Sequence, residues 1–272
     1  LKRPGFLAIV SAATLALSLL KRATGSIQGF IVEGPTAGGH NAPPRGKAAF
    51  NDRGEPIYGV RDAVDYSKFR DLELPFWIAG GAGSAAKLKI ALQQGAQGIQ
   101  VGTAFAFCRE SGLRPELREA VLRGVREGNV DVYTDALASP TGFPFKVVRL
   151  SGTLSEEQEY LRRGRVCDLG YLRRIYRKND GSLGYRCPAQ KEAAYVESGG
   201  KPEDTRGRVC LCNALLSNVG VPQVRRGVEE PPLLTAGDDL MELGMFMPDD
   251  GIDYSAGEVV DCLMSKVLEN SF

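Results

Sequence analysis

The sequence predicts an α/β fold of parallel strands alternating with helices, about half of a (β/α)8-type barrel, followed by an irregular and helical extension. Three observations carry this. Short apolar runs alternate four times with stretches of helical periodicity. The runs lack a polar face, as strands of a parallel sheet covered on both sides must. Two consecutive runs end in glycine-rich turns.

The first strand is read over Phe6–Val10, and the helix after it places Ala12, Leu15, Ala16, Leu19, Leu20 and Ala23 on one face. The second strand, Gly29–Val32, runs into Glu33-Gly34-Pro35 and a long polar loop, with a helical segment expected over Asp65–Arg70. The third strand, Phe76–Ala79, ends in Gly80-Gly81, and Ser84 caps a helix stopped at Gly95. The fourth, Gly98–Val101, ends in Gly102-Thr103, and Pro115 opens a helix with Leu117, Ala120, Val121, Gly124 and Val125 on one face. Two extended segments, Val130–Tyr133 and Pro144–Leu150, flank a Ser139-Pro140-Thr141-Gly142 turn. Beyond Ser151 periodicity is weak until an amphipathic helix over Ala256–Leu268. A boundary near 150 therefore divides a partial barrel with its closing segment (1–150) from a cysteine-containing extension (151–272).

Composition bounds the function. With 272 residues, 43% hydrophobic and 25% charged, the chain can bury a core. Its 34 basic and 33 acidic side chains leave a net charge of +1, so no electrostatic footprint points to nucleic acid. Lys2 and Arg3 before the apolar run Leu7–Leu20 imitate a signal peptide. That run is too short for a membrane span, and no small-residue cleavage site lies after it. The expectation is a cytoplasmic protein with reduced thiols. A full barrel takes about 250 residues. Four strand–helix units starting from Leu1 read as a fragment.

The glycine turns carry the first chemistry. Gly80-Gly81-Ala82-Gly83-Ser84 and Gly102-Thr103 stand before helices, where free N–H groups and the helix dipole favour an anion such as phosphate. Tight turns alone would use the same residues. The spacing of the two strands makes their loops neighbours, which strengthens the phosphate reading. One strand earlier, Gly38-Gly39 permits a bend that projects His40, the single histidine, toward the same face. An imidazole there can take a proton from carbon or hold an anion; a surface histidine bonded to a local carbonyl is the alternative.

Val32-Glu33-Gly34-x-x-Ala37-Gly38-Gly39-His40, Ile78-Ala79-Gly80-Gly81 and Gly98-Ile99-Gln100-Val101-Gly102-Thr103-Ala104-Phe105 resemble, in order and spacing, three serial signatures of the nitronate monooxygenase (2-nitropropane dioxygenase) family. The resemblance runs from about Leu7 to Leu150 and implies the carboxy-terminal half of an FMN-binding TIM barrel. It implies that Glu33, Gly38, Gly80, Gly81, Gln100, Val101, Gly102 and Thr103 contact FMN, mostly its phosphate. It also makes His40 the catalytic base or anchor, nitronates or nitroalkanes and O2 the substrates, and nicotinamide unnecessary. Two departures stand out. Glu33 replaces a glutamine common in the family, and a carboxylate beside a flavin needs a proton or a cation, with Arg45 as the candidate partner. The loop Asn41–Asp65 is longer and richer in proline. The same barrel serves FMN-dependent enoyl reductases that use NAD(P)H, the competing enzyme reading. A non-catalytic phosphate- or metal-binding interaction protein is the reading from another class.

In the extension, Cys167, Cys187, Cys210 and Cys212 match neither zinc knuckles nor iron–sulfur runs well, and no metal is assigned. Cys108 and Cys262 read as small hydrophobes. The arginines from Arg162 to Arg177, interleaved with Tyr160, Tyr171 and Tyr176, read as a solvated face or a homo-oligomer contact.

Overall fold

The structure, a computed structural model, describes residues 3–268. Four parallel strands form one sheet in the order β1 (Leu7–Val10), β2 (Gly29–Glu33), β3 (Phe76–Ala79), β4 (Gly98–Gln100). Helices alternate with them: α1 (Ala13–Arg22), α2 (Ser67–Arg70), α3 (Ala85–Gln93) and the single turn α4 (Thr103–Ala106). The α/β architecture with parallel strands is therefore as expected. Among the described residues the sheet does not close into a barrel.

Sequential strands pair in sequential order because each crossover returns the chain beside the strand it left. Phe30 and Phe76 pair across β2 and β3 and meet Phe69 of α2, ring centroids lying 5.7–6.3 Å from Phe69. With Ala8, Val10, Ala13, Ala16, Val32 and Ala91 they make the core of this unit. The helix after β1 is rotated from the expected face. Ala13 and Ala16 are buried and Leu19 packs on the core, whereas Leu15 and Leu20 are exposed. Two small side chains three residues apart let α1 lie close on the strands, which a leucine stripe would prevent.

The chain divides into two compact units. One takes residues up to Ala48, Ile57–Ser111, and the chain from Ala236 on; the other takes Ala49–Pro56 and Gly112–Thr235. The texture change at 150 falls inside the second unit. There α5 (Pro115–Glu127) precedes an antiparallel hairpin, β5 (Asp131–Asp135) with β6 (Phe145–Arg149), turned at Ser139–Gly142. Phe145 and Val147 of β6 share a core with Leu154, Val209, Leu211, Ala214 and Leu233, so the hairpin packs onto the extension.

The extension is more structured than its weak periodicity suggests. It contains α6 (Glu157–Arg162), the hairpin β7 (Arg174–Arg177) with β8 (Leu183–Arg186), α7 (Glu192–Glu197), α8 (Leu211–Ser217) and a short hairpin, β9 (Val224–Arg225) with β10 (Val228–Glu229). Of the arginines expected on a solvated face, Arg163 turns inward, whereas Arg162, Arg173, Arg174 and Arg177 are exposed. Arg163 is buried 3.6 Å from Glu230, lies over the Tyr160 ring, and Arg174 donates to the Pro140 and Thr141 carbonyls.

The last helix, α9 (Ala256–Leu268), spans the residues expected. Before it, Tyr254 is fully buried, donates to the Ala104 carbonyl at 2.8 Å and packs on Phe246. No described helix is long and apolar enough to cross a membrane.

Candidate active site at the carboxyl ends of the strands

Strand register assembles the site. Glu33 pairs with Ala79, and Ala79 pairs with Gln100. The loops that leave β2, β3 and β4 therefore start side by side in one row. This is the end of a parallel sheet where α/β enzymes place ligands, because the loops there can vary without disturbing the strands.

The β3 loop is a turn only glycine adopts easily. Gly80 and Gly81 have φ of +94° and +60°. A Cβ on Gly80 would lie 3.1 Å from both the Ala37 nitrogen and the Gly34 carbonyl, so the β2 and β3 loops are in backbone contact. In the β4 loop, by contrast, nothing lies within 4 Å of a Cβ placed on Gly102, and Gln100 is exposed. β4 ends one residue earlier than expected, leaving Val101 and Gly102 as loop backbone before α4.

A fourth segment closes against these loops, and nothing in the local sequence announced it. Ala236–Asp239 returns from the far end of the chain. The Asp238 N–H donates to the Thr36 carbonyl at 3.0 Å and the Gly237 N–H to Thr103 Oγ1 at 3.0 Å. Thr103 Oγ1 in turn donates to Asp239 Oδ1 at 2.9 Å, with both residues buried. Gly38 is required here by contact: a Cβ would sit 2.8 Å from the Ala236 carbonyl carbon and 3.0 Å from the Gly237 nitrogen. The only sequence signal was a Gly-Asp-Asp triplet after the apolar Pro231–Leu234, too common a pattern to name a site.

Glu33 opens onto a small cavity with Ser11, Gly34, Arg45, Tyr58 and Asp62. Burial raises its carboxyl above the ordinary carboxylate range. The expected pairing with Arg45 is not made. Arg45 donates through Nη1 to the Arg61 carbonyl at 2.6 Å and through Nη2 to the Ser11 carbonyl at 3.1 Å. Its guanidinium instead ties the long loop to the end of β1. Burial also pushes the Tyr58 hydroxyl up to about 12, and that hydroxyl donates to the Ala42 carbonyl at 3.0 Å. A second cavity of about 220 Å3, sharing Ser11 and Arg45, opens at the start of α1 and is flanked by Arg61 and Lys68.

His40 follows Gly39, whose φ is +76°, and is half-buried. Burial lowers its pKa below the usual 6.5, because a charged imidazolium loses hydration there. A neutral imidazole is the form able to accept a proton.

Comparison with known proteins agrees with this geometry. The family described as "Nitronate monooxygenase" matches residues 1–130. A probable nitronate monooxygenase of Bacillus subtilis is 34% identical over 122 residues, 45% of this chain and 33% of its own length. The nitronate monooxygenase of Pseudomonas aeruginosa is 34% identical over 127 residues, 46% of this chain and 34% of its own. The chain thus spans about a third of these curated relatives. Among solved structures, FabK from Thermotoga maritima superposes with a TM-score of 0.51 at 17% identity, covering 97% of this chain and 61% of that one, a likeness of fold alone. Over its first 130 residues, the chain is similar to the nitronate monooxygenase family.

Proposed function

We propose that the unit containing β1–β4 binds FMN across the row Glu33–Ala79–Gln100 and serves the flavin-dependent oxidation of nitronates or nitroalkanes by O2 in the cytoplasm. The observation that supports this most is the register itself, which sets the three family-matched loops next to one another.

The residues present fit FMN at the level of backbone. Gly80 and Gly81 hold the conformation an anion-binding turn needs, and the space over Gly102 is open for close approach. In this reading Gly38, Gly80, Gly81, Val101, Gly102 and the Thr103 N–H cradle the phosphate. Gln100 and Glu33 face the ring system. The Thr103 hydroxyl is already committed to Asp239, so its part in the cradle is to hold Ala236–Asp239 in place.

Bound FMN would supply the two-electron chemistry that no side chain can. The protein's residues do the rest. His40, neutral near pH 7, takes the α-proton of a nitroalkane, or orients a preformed nitronate by hydrogen bonding. Arg45 and Arg61 beside the 220 Å3 cavity supply positive charge suited to the nitronate anion, while Lys68 there is paired with Asp65 at 3.5 Å. Burial favours the protonated form of Glu33, a hydrogen-bond donor where an ionised carboxylate would repel a reduced ring.

The test is anaerobic titration of the FMN-reconstituted chain. Propyl-2-nitronate should bleach the flavin absorbance and air should restore it, while NADH and NADPH leave it unchanged. Rapid bleaching by NAD(P)H would instead make the chain an enoyl reductase. Failure to bind FMN at all would favour an interaction protein over either enzyme.

A further inference from the structure

The four cysteines of the extension, scattered over 46 positions of sequence, gather at one place in the second unit. Cys187, after β8, and Cys210, before α8, are 4% and 6% exposed and form a small core with Ala189. Cys167 and Cys212 pack against it. None is in a disulfide. Among the described residues, no group of three or more Cys, His, Asp or Glu is arranged to hold a metal ion.

The four thiols are not equivalent. Cys167 is partly exposed and is clamped by Arg173, whose Nε donates to Cys167 Sγ at 3.4 Å and whose Nη2 donates to the Cys167 carbonyl at 2.7 Å. Cys187 lies deeper, in the buried cluster against which Cys167 packs. Cys210 receives only the neutral Asn213 amide at 3.4 Å. A guanidinium on one sulfur and a buried thiol in the cluster it packs against make an attacking thiolate with a resolving thiol at hand.

We propose that Cys167 and Cys187 form a redox-active dithiol, a modification site oxidised by hydroperoxides to an intramolecular disulfide. The Cys167 thiolate attacks the distal oxygen of ROOH, breaking the O–O bond. This leaves Cys167 as sulfenic acid, and the alkoxide departs as ROH with one proton. The Cys187 sulfur then attacks Cys167 Sγ, forming the S–S bond and releasing the hydroxyl with the Cys187 proton as water. The sum is two thiols and ROOH giving a disulfide, ROH and H2O. The electrostatics agree: the Cys187 thiol, then Arg173, bring Cys167 down to about 5, whereas burial pushes Cys210 up to about 11 and raises Cys212.

The experiment is intact and peptide mass spectrometry of the reduced full chain after one equivalent of hydrogen peroxide. The expected result is loss of two hydrogen atoms, a Cys167–Cys187 linked peptide, and reversal by dithiothreitol. Cys187→Ser should leave Cys167 as a sulfenic acid captured by dimedone. Cys167→Ser should remove the fast reaction, and Arg173→Gln should slow it roughly tenfold. Cys212→Ser should behave as wild type. A link between any other pair, or undiminished peroxide reactivity in Cys167→Ser, would overturn the proposal. So would one tightly bound zinc per chain that shields all four thiols. Neither outcome depends on whether FMN binds.

Discussion

Glu33 ties the pH behaviour of the fold to that of the candidate site. At low pH the folded and unfolded chains both hold its proton. As pH rises through the carboxylate range, unfolded Glu33 releases its proton first, since burial raises the folded value. Its contribution is therefore present below the unfolded pKa and is lost as pH rises through the folded one. Glu33→Gln should remove that slope. Its melting temperature should match wild type near about pH 4 and exceed it near neutrality, and equal curves at all pH values would mean that Glu33 stays solvated.

His40 works in the opposite sense. Its neutral form is favoured, so turnover of neutral nitroalkanes should rise with pH through a midpoint below the ordinary imidazole value. His40→Asn should abolish that limb and lower nitroalkane turnover by roughly 100-fold while sparing preformed nitronates. Equal loss on both substrates would assign His40 to binding. Asp239 is the residue that local sequence did not reveal. Its carboxylate stands near the proposed phosphate cradle, a Cβ on Gly83 lying 3.1 Å from Oδ2. Asp239→Asn keeps an acceptor for Thr103 and removes a like charge. It should tighten FMN by on the order of 1 kcal/mol, about fivefold in Kd by fluorescence quenching; weaker binding would show that the charge is needed to hold the loop.

Among the elements, the loop after β2 is constrained by close backbone approach. Gly38 is not in a left-handed conformation, yet a methyl group there meets the Ala236 and Gly237 backbone, which cannot swing aside like a side chain. Gly38→Ala should cost about 1–3 kcal/mol in thermal or urea unfolding, with a matching loss of FMN retention as Ala236–Asp239 is displaced. The four strands and the helices after the first three were legible in advance because apolar runs and 3.6-residue periodicity are local properties, whereas the helix opened by Pro115 belongs to the second unit and the short α4 follows β4 instead. The exceptions were equally physical. The buried side of α1 is set by its small residues, and Arg163 of the arginine-rich stretch is buried against Glu230.

For the molecule as a whole, the chain leaves the β1–β4 unit at Gly112 and returns to it at Ala236. That unit's site is therefore completed by residues more than a hundred positions downstream of the family match. Deleting residues 236–272 removes Gly237 and Asp239 from the loops and Tyr254 from Ala104, although residues 1–130 remain intact. The truncated chain should lose FMN binding and unfold at lower temperature by circular dichroism; retention of both would show that the first 130 residues suffice for the site.

The order of strands, the glycine turns, the single histidine and their spacing were readable from residues 6–127, because each depends on neighbours within a turn or two of chain. Only the folded chain decided that Asp239 occupies the Thr103 hydroxyl, that Arg45 turns from Glu33 to the carbonyls of Ser11 and Arg61, and that four dispersed cysteines meet. Such contacts close long loops, whose entropic cost grows only slowly with length. They are set by complementary packing and leave no periodic trace in the sequence.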